Sequence, residues 1–313
     1  MEETKPTRGY KRKTIEKIVR RKMNEWLRTI GHRTRDEDNL EAVSGNADLA
    51  DAVRADYFLT GGALASMLMG EEPNDYDVYL RTPAVAAKLA EHYISKLPAA
   101  NNPRSEKIEV KADKDRVSIF VKSSGIASEE SDQSGYTYFE YGPSNGEEFL
   151  KEVIKSEDKG NYKVAYMTTN AVTLTDGVQI VIRFVGKPEK VHEFFDYAHC
   201  TSYFTEEGGL VVPEKALETL RTRELKYQGS LYPICAMFRM RKFIKRGWTI
   251  TAGEMLKIAW DISKLDLTDI EVLRDQLVGV DSAYFRELLD ILENERRPID
   301  RSYLVELVER VFD

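Results

Sequence analysis

Tyr57-Phe58-Leu59-Thr60-Gly61-Gly62-Ala63-Leu64-Ala65-Ser66-Met67-Leu68-Met69-Gly70, followed closely by Asn74-Asp75-Tyr76-Asp77-Val78-Tyr79-Leu80, decides how this chain is read. The first four residues form a short apolar strand. It runs into two glycines, which let the backbone turn sharply and pass close to a ligand. A short apolar helix follows, then a turn over Gly70 to Asn74. The second strand carries carboxylates at Asp75 and Asp77, and residues i and i+2 of a strand share a face. The unpaired N–H groups at a helix start favour phosphate oxygens. Two carboxylates across from such a cradle suit Mg²⁺, which binds a few carboxylates together with substrate phosphate oxygens. Without a cation, two like charges inside an apolar strand cost energy.

N-terminal to this stretch, residues 10–30 read as an amphipathic helix. Ile15, Ile18, Val19, Met23, Trp26, Leu27 and Ile30 repeat at helical spacing, and Lys and Arg fill the other face. Residues 31–47 are polar and read as a connection or a ragged helix. Residues 83–97 form another amphipathic helix. Segments 107–111, 116–122, 136–141, 162–168, 171–175 and 178–185 are rich in Val, Ile, Tyr, Phe and Thr, and read as strands. Thr175-Asp176-Gly177 is a hairpin turn, because Asp-Gly accepts positive φ. The Ser/Gly/acid-rich stretch 123–135 reads as a loop. Helices are expected over 189–195, 214–227, 231–246, 252–263, 268–277, 281–293 and 300–312. The fold class is therefore α+β: a mixed-sheet head with an N-terminal helical arm and an all-helical C-terminal domain. The expected boundaries are 1–50, 51–205 and 206–313.

The chain has 313 residues, a formal net charge of −7 and two cysteines. No apolar run of about 18 residues is present, so no membrane span is expected. The charged N-terminus lacks the apolar core of a secretory signal. Cys200 and Cys235 make no disulfide framework, and a reducing, cytoplasmic compartment is expected. The charge is uneven. Residues 1–35 hold 12 Lys/Arg against 4 Glu, and residues 215–246 hold 9 against 2. Residues 261–313 hold 14 acids against 7 bases. Two basic segments in an acidic chain are compatible with a polyanionic partner.

The order strand, Gly61-Gly62, helix, Asp75-Tyr76-Asp77 strand resembles the signature of the DNA polymerase β-type nucleotidyltransferase superfamily. The Gly-Gly-Ala turn looks closest to the head domain of CCA-adding tRNA nucleotidyltransferases and bacterial poly(A) polymerases. One departure is that those enzymes carry Arg-Asp soon after the glycines, where this chain has Ala65 and Ser66. The resemblance implies a nucleotidyltransferase head in which Asp75 and Asp77 hold Mg²⁺ or Mn²⁺. It also implies that Gly61, Gly62 and the amides after them take the β- and γ-phosphates of an NTP, ATP or CTP. The acceptor would be an RNA 3′ end, tRNA included, with pyrophosphate leaving.

The superfamily uses a third carboxylate on a later strand. Phe195-Asp196-Tyr197 offers one in an apolar frame, and the stretch resembles viral and phage relatives. Asp196 is thus the expected third catalytic and metal ligand, in the host cytoplasm if the chain is viral. Glu109 is the second option, while Gln179 sits on a good strand but brings no charge. The stretch from Phe238 to Trp248 resembles the neck that follows the head in these enzymes. Arg223, Lys226, Arg239 and Lys242 are accordingly expected at the nucleotide, since Lys and Arg neutralise phosphate charge. Two alternatives stay open: a catalytically degenerate RNA- or nucleotide-binding protein, and a nucleotidyltransferase acting on a protein or small molecule.

Overall fold

The computed structural model describes residues 9–31, 34–36, 39–43, 46–97, 108–122, 136–138, 140–141, 161–277, 291–292 and 298–312. The 123–135 loop and all but residues 291–292 of the 281–293 helix expected from the sequence lie outside the described residues. The chain divides into two compact units. The first comprises Met1–Tyr141, Val153–Val191 and Ser202–Val212; the second comprises Gly142–Glu152, His192–Thr201 and Pro213–Asp313. Among the described residues, no helix is long and apolar enough to cross a membrane.

The first unit opens with α1 (Arg12–Gly31), then β1 (Thr34–Asp36) and β2 (Asn39–Val43), which pair antiparallel. Next come α2 (Ala47–Asp56), β3 (Tyr57–Thr60), α3 (Gly62–Met69), β4 (Tyr76–Leu80) and α4 (Pro83–Ile94). β5 (Ile108–Ala112), β6 (Val117–Lys122) and β7 (Tyr136–Tyr138) make a three-stranded sheet. β8 (Glu140–Tyr141), β9 (Val164–Thr168), β10 (Ala171–Leu174), β11 (Val178–Val185), β12 (Tyr203–Thr205) and β13 (Gly209–Val211) complete the strands of this unit.

The main sheet has eight strands in the order β13-β12-β3-β4-β11-β10-β9-β8. Every neighbouring pair is antiparallel except β4 and β11, so the sheet is mixed, as expected for the α+β class. The period-two alternation of strands sorts its residues onto two faces. Tyr57, Leu59, Val78, Leu80, Val172, Leu174, Val178, Ile180 and Ile182 belong to one core cluster. Ile15, Val19, Met23, Trp26, Leu27 and Ile30 of α1 join the same cluster. Burying side chains of this size contributes about 1.5–3 kcal/mol each. The indole N–H of Trp26 donates to the Tyr93 hydroxyl at 2.8 Å, which satisfies a buried donor and ties α1 to α4. Arg20 pairs with Glu206, whose other oxygen accepts from the Tyr57 hydroxyl at 2.7 Å. The basic helix is thus an integral wall of the first unit.

Several local expectations are corrected. Residues 31–47 hold β1, β2 and the Asn46 cap of α2, where Asn46 accepts from the N–H of Leu49 at 2.9 Å. The helix expected over 189–195 is Pro188–His192. The helix expected over 214–227 stops at Thr222, because Arg223 adopts left-handed φ of 52° and ends it. The chain then enters β14 (Glu224–Leu225), which pairs in parallel with β15 (Thr249–Ile250). The rest of the second unit is helical over Pro233–Lys245, Ala252–Ile262, Ile270–Leu277 and Arg301–Phe312.

Candidate nucleotide and metal site

β3 delivers the chain to Gly61, whose φ of 92° and ψ of −152° lie where only glycine is comfortable. Gly61 is also the residue before α3, and no side chain caps that helix start. The Cβ that any other residue would carry at 61 lies 2.8 Å from Oδ2 of Asp77. A Cβ on Gly62 would meet nothing within 4 Å. The two glycines therefore do different jobs. Gly61 lets the backbone pass against the Asp77 carboxylate, and Gly62 faces open space at the start of α3. The first N–H groups of a helix have no partner within it.

Asp77 is half-buried on β4, and Asp75, just before the strand, is exposed. The β10–β11 turn supports this entry. A Cβ on Gly177 would come 3.1 Å from the Asn74 carbonyl oxygen and 3.8 Å from Cα of Asp75. Asp176 and Gly177 both have φ of 69°, as the Asp-Gly turn requires. Tyr76 points to the opposite face, where the Lys22 ammonium sits 5.6 Å from its ring centroid.

Cross-strand register builds a polar row through the sheet. Asp77 lies opposite Thr60 on β3 and opposite Gln179 on β11. Gln179 lies opposite Thr173 on β10, and its Nε2 donates to Thr173 Oγ1 at 3.3 Å. Residues directly opposite on paired strands present side chains to the same face. This face is the one not used by the apolar core cluster. Thr60 is fully buried and donates to the Ser202 carbonyl at 2.8 Å.

Among the described residues, no three His, Cys, Asp or Glu side chains converge on a metal position. The donor set still fits Mg²⁺. Asp75 and Asp77 supply two hard oxygen ligands, the Gly61 approach leaves room for no side chain beside Asp77, and magnesium takes its other ligands from water and substrate phosphates.

The remaining expected residues are distributed as follows. Glu109 is on β5, opposite Phe120, in the three-stranded sheet and not in the main sheet that carries Asp77. Asp196, Arg223, Lys226, Arg239 and Lys242 belong to the second unit. Asp196 is not on a strand. The segment around it is irregular, with a single bridge between Tyr197 and Tyr227 and a 3₁₀ turn over Ala198–Cys200. The Asp196 carboxylate is buried and accepts from the Arg239 guanidinium, while its backbone carbonyl accepts from the N–H of Gln228 at 2.8 Å. Lys226 pairs with Glu224, which raises its pKa. Lys242 is exposed on the helix that carries Arg239. The Arg223 carbonyl accepts from the N–H of Thr249 at 2.8 Å. The structure thus joins Asp196 to Arg239 and leaves Lys226 on Glu224.

The second unit also holds an open cavity of about 480 Å³ lined by Tyr227, Gln228, Leu256, Lys257, Trp260 and Asp261, among others. Close by, His199 is buried among Tyr197, Phe243 and Trp248, with neither ring nitrogen hydrogen-bonded. Burial, then the nearby Arg246, lowers its pKa to about 3.

No curated protein matches the sequence. Loose likenesses exist to solved structures, three of which are described. The chain is 13% identical to "Thermotoga maritima CCA-adding enzyme complexed with tRNA_CCA", covering 96% of this chain and 54% of that one at a TM-score of 0.42. It is 11% identical to a CCA-adding enzyme solved with CTP, covering 96% and 55% at 0.41. It is 12% identical to the Bacillus stearothermophilus CCA-adding enzyme in complex with CTP, covering 87% and 52% at 0.36. The chain spans about half the length of these proteins. A family model matches far more directly. It takes in residues 18–223, from α1 through the Gly61–Asp77 site to the end of the helix that starts at Glu214, which is well over half of the sequence. This chain belongs to the family described as Gad2, the Gabija anti-defense 2 family.

Proposed function

We propose that this chain is a metal-dependent nucleotidyltransferase and that its transfer activity serves the anti-defense role its family description names. The observation that carries the reading is the approach of Gly61 to Asp77. A glycine with φ of 92° is set against a carboxylate at the start of a helix, beside the polar row Thr60, Asp77, Gln179 and Thr173 of a mixed sheet. A structural turn needs no such proximity. A site that holds a cation and a triphosphate does.

In this reading Asp75 and Asp77 hold Mg²⁺ or Mn²⁺ through their carboxylate oxygens. Gly62 and the first amides of α3 receive the β- and γ-phosphates, for which the helix start supplies N–H groups and a favourable dipole. The bound metal would supply charge stabilisation of the phosphoryl oxygens and of the leaving pyrophosphate. The acceptor hydroxyl gives up its proton to solvent as its oxygen bonds to the α-phosphorus of ATP or CTP, the bond from that phosphorus to the α,β-bridging oxygen breaks, and pyrophosphate departs. The first acceptor we assign is an RNA 3′ end, tRNA included, on the basis of the sequence resemblance and the two basic segments. A second reading, transfer onto a protein of the defence machinery, is favoured by the family description.

The test incubates purified protein with each α-labelled NTP, Mg²⁺ or Mn²⁺, total RNA, and separately a lysate of cells carrying the defence system. Label in RNA supports the first acceptor, and label in a protein band supports the second. Absence of label from both fractions, with the protein folded, contradicts the activity.

A further inference from the structure

Gln179 is one of two side chains, with Thr60, that the sheet places directly beside Asp77. β4 and β11 are the one parallel pair of the main sheet, and their register sets Gln179 against Asp77. Adjacent strands lie about 4.8 Å apart, so the two side chains leave the same face at neighbouring positions. β11 is otherwise apolar and buried. Gln179 and Arg183 are its only residues that are not fully buried. Arg183 is accounted for by Asn170, whose Oδ1 accepts from it at 3.2 Å. Gln179 uses Nε2 on Thr173, on the side away from Asp77. The bond orients the carboxamide and leaves Oε1 for a ligand. Amide carbonyl oxygens, like carboxylates, are ligands for hard divalent cations.

We infer that Gln179 is the third protein ligand of the Asp75/Asp77 centre, through Oε1, and that a neutral ligand there limits the free protein to one tightly held divalent cation. The inference rests on the reading of Asp75 and Asp77 as metal-holding residues. Two carboxylates balance the charge of one such cation. A second cation lacks protein charge to balance it, so it enters with the triphosphate, which brings its own. The cation site of this protein is therefore completed by its nucleotide.

Titration of Mn²⁺ into the full-length protein, with free Mn²⁺ followed by its electron paramagnetic resonance signal, tests this without turnover. The wild type binds one Mn²⁺ tightly in the absence of nucleotide and a second once a non-hydrolysable NTP analogue is added. Gln179→Leu weakens the first ion on the order of tenfold, the lower end of what metal-site partners contribute. Gln179→Glu shifts affinity the opposite way and binds a second ion without nucleotide. Opposite shifts from two substitutions at one half-exposed position do not arise from misfolding. Unchanged Mn²⁺ affinity in both variants overturns the inference, and so does an effect of Gln179→Leu on nucleotide affinity alone. Asp77→Asn separates the two levels. If it loses Mn²⁺ while the Gln179 variants do not change, only the role of Gln179 fails. If it retains Mn²⁺ at wild-type affinity, the metal reading itself fails.

Discussion

Gly61 faces the Asp77 carboxylate: the place where a Cβ on Gly61 would sit is 2.8 Å from Oδ2 of Asp77. The residues are 16 apart in sequence, and the antiparallel pairing of β3 with β4 brings them together, with Thr60 opposite Asp77. An alanine at 61 faces the clash and the unfavourable φ at once. Gly61→Ala is expected to cost about 1–3 kcal/mol of stability, the usual range for a residue forced into such backbone. It should also displace Asp77 and lower transfer on the order of 100-fold, as small misplacements at a reacting centre do. Thermal melting and label transfer measure the two effects.

Gly62 gives the contrasting case. Its Cβ position is open, so Gly62→Ala should fold with a melting temperature close to that of the wild type. If the open space at the start of α3 receives phosphates, the added methyl raises KM for the NTP with a smaller change in kcat. An unchanged KM would mean that the phosphates lie elsewhere.

The local part of this site was legible because its signals sit within 24 residues, from Tyr57 to Leu80, and each is chemical: glycines for the turn, carboxylates at i and i+2. The buried face of α1 was equally legible from its 3.6-residue period. Periodicity does not say which surface covers that face, and a separate arm was expected where the structure has a wall of the first unit. β1 and β2 were missed because Thr34–Asp36 and Asn39–Val43 lack a clear apolar alternation. The helix end at Arg223 had no glycine to announce it. Around Asp196, alternating aromatic residues imitated a strand, yet Tyr197 buries its ring beside Tyr227 and Phe243, and its hydroxyl donates to the Ala236 carbonyl. The place of Gln179 beside Asp77 depends on a parallel crossover spanning about 100 residues, and no local pattern encodes that.

The Asp196–Arg239 pair should behave as a structural element of the second unit. Arg239→Ala leaves a buried carboxylate without its cation, a change that costs about 3 kcal/mol when a buried pair is broken. Asp196→Asn should cost less, since the amide still accepts a hydrogen bond. Denaturant melts of both variants check the order. Mn²⁺ affinity measured on Asp196→Asn then checks the expectation, drawn from the family resemblance, that this carboxylate binds metal.

Acid sensitivity follows from His199. Its pKa is about 3 in the fold and about 6.5 in the unfolded chain, so the unfolded state binds the proton first as pH falls. The stability contributed by the neutral ring is complete above pH 6.5 and declines as pH drops from 6.5 towards 3. The slope approaches about 1.4 kcal/mol per pH unit for one such group. His92, lowered to about 4 by burial and Lys96, adds to the slope in the first unit. His199→Phe, which suits a site walled by Trp248 and Phe243, should flatten the decline between pH 6.5 and 5 in thermal melts.

Tyr93→Phe removes the acceptor of the Trp26 indole inside the core. An unsatisfied buried donor costs about 1–3 kcal/mol. Amide exchange should quicken in α1 and α4, and a silent substitution would contradict the assignment of α1 to the first unit.

In the proposed function, Asp75 and Asp77 carry nucleotidyl transfer. Its most direct test is label transfer from an α-labelled NTP by the wild type beside Asp75→Asn/Asp77→Asn, with RNA and lysate acceptors and saturating Mg²⁺ or Mn²⁺. Transfer is expected from the wild type, with a loss of at least about 1,000-fold in the double variant, consistent with removal of several kcal/mol of charge stabilisation. Equal transfer by both proteins would contradict it.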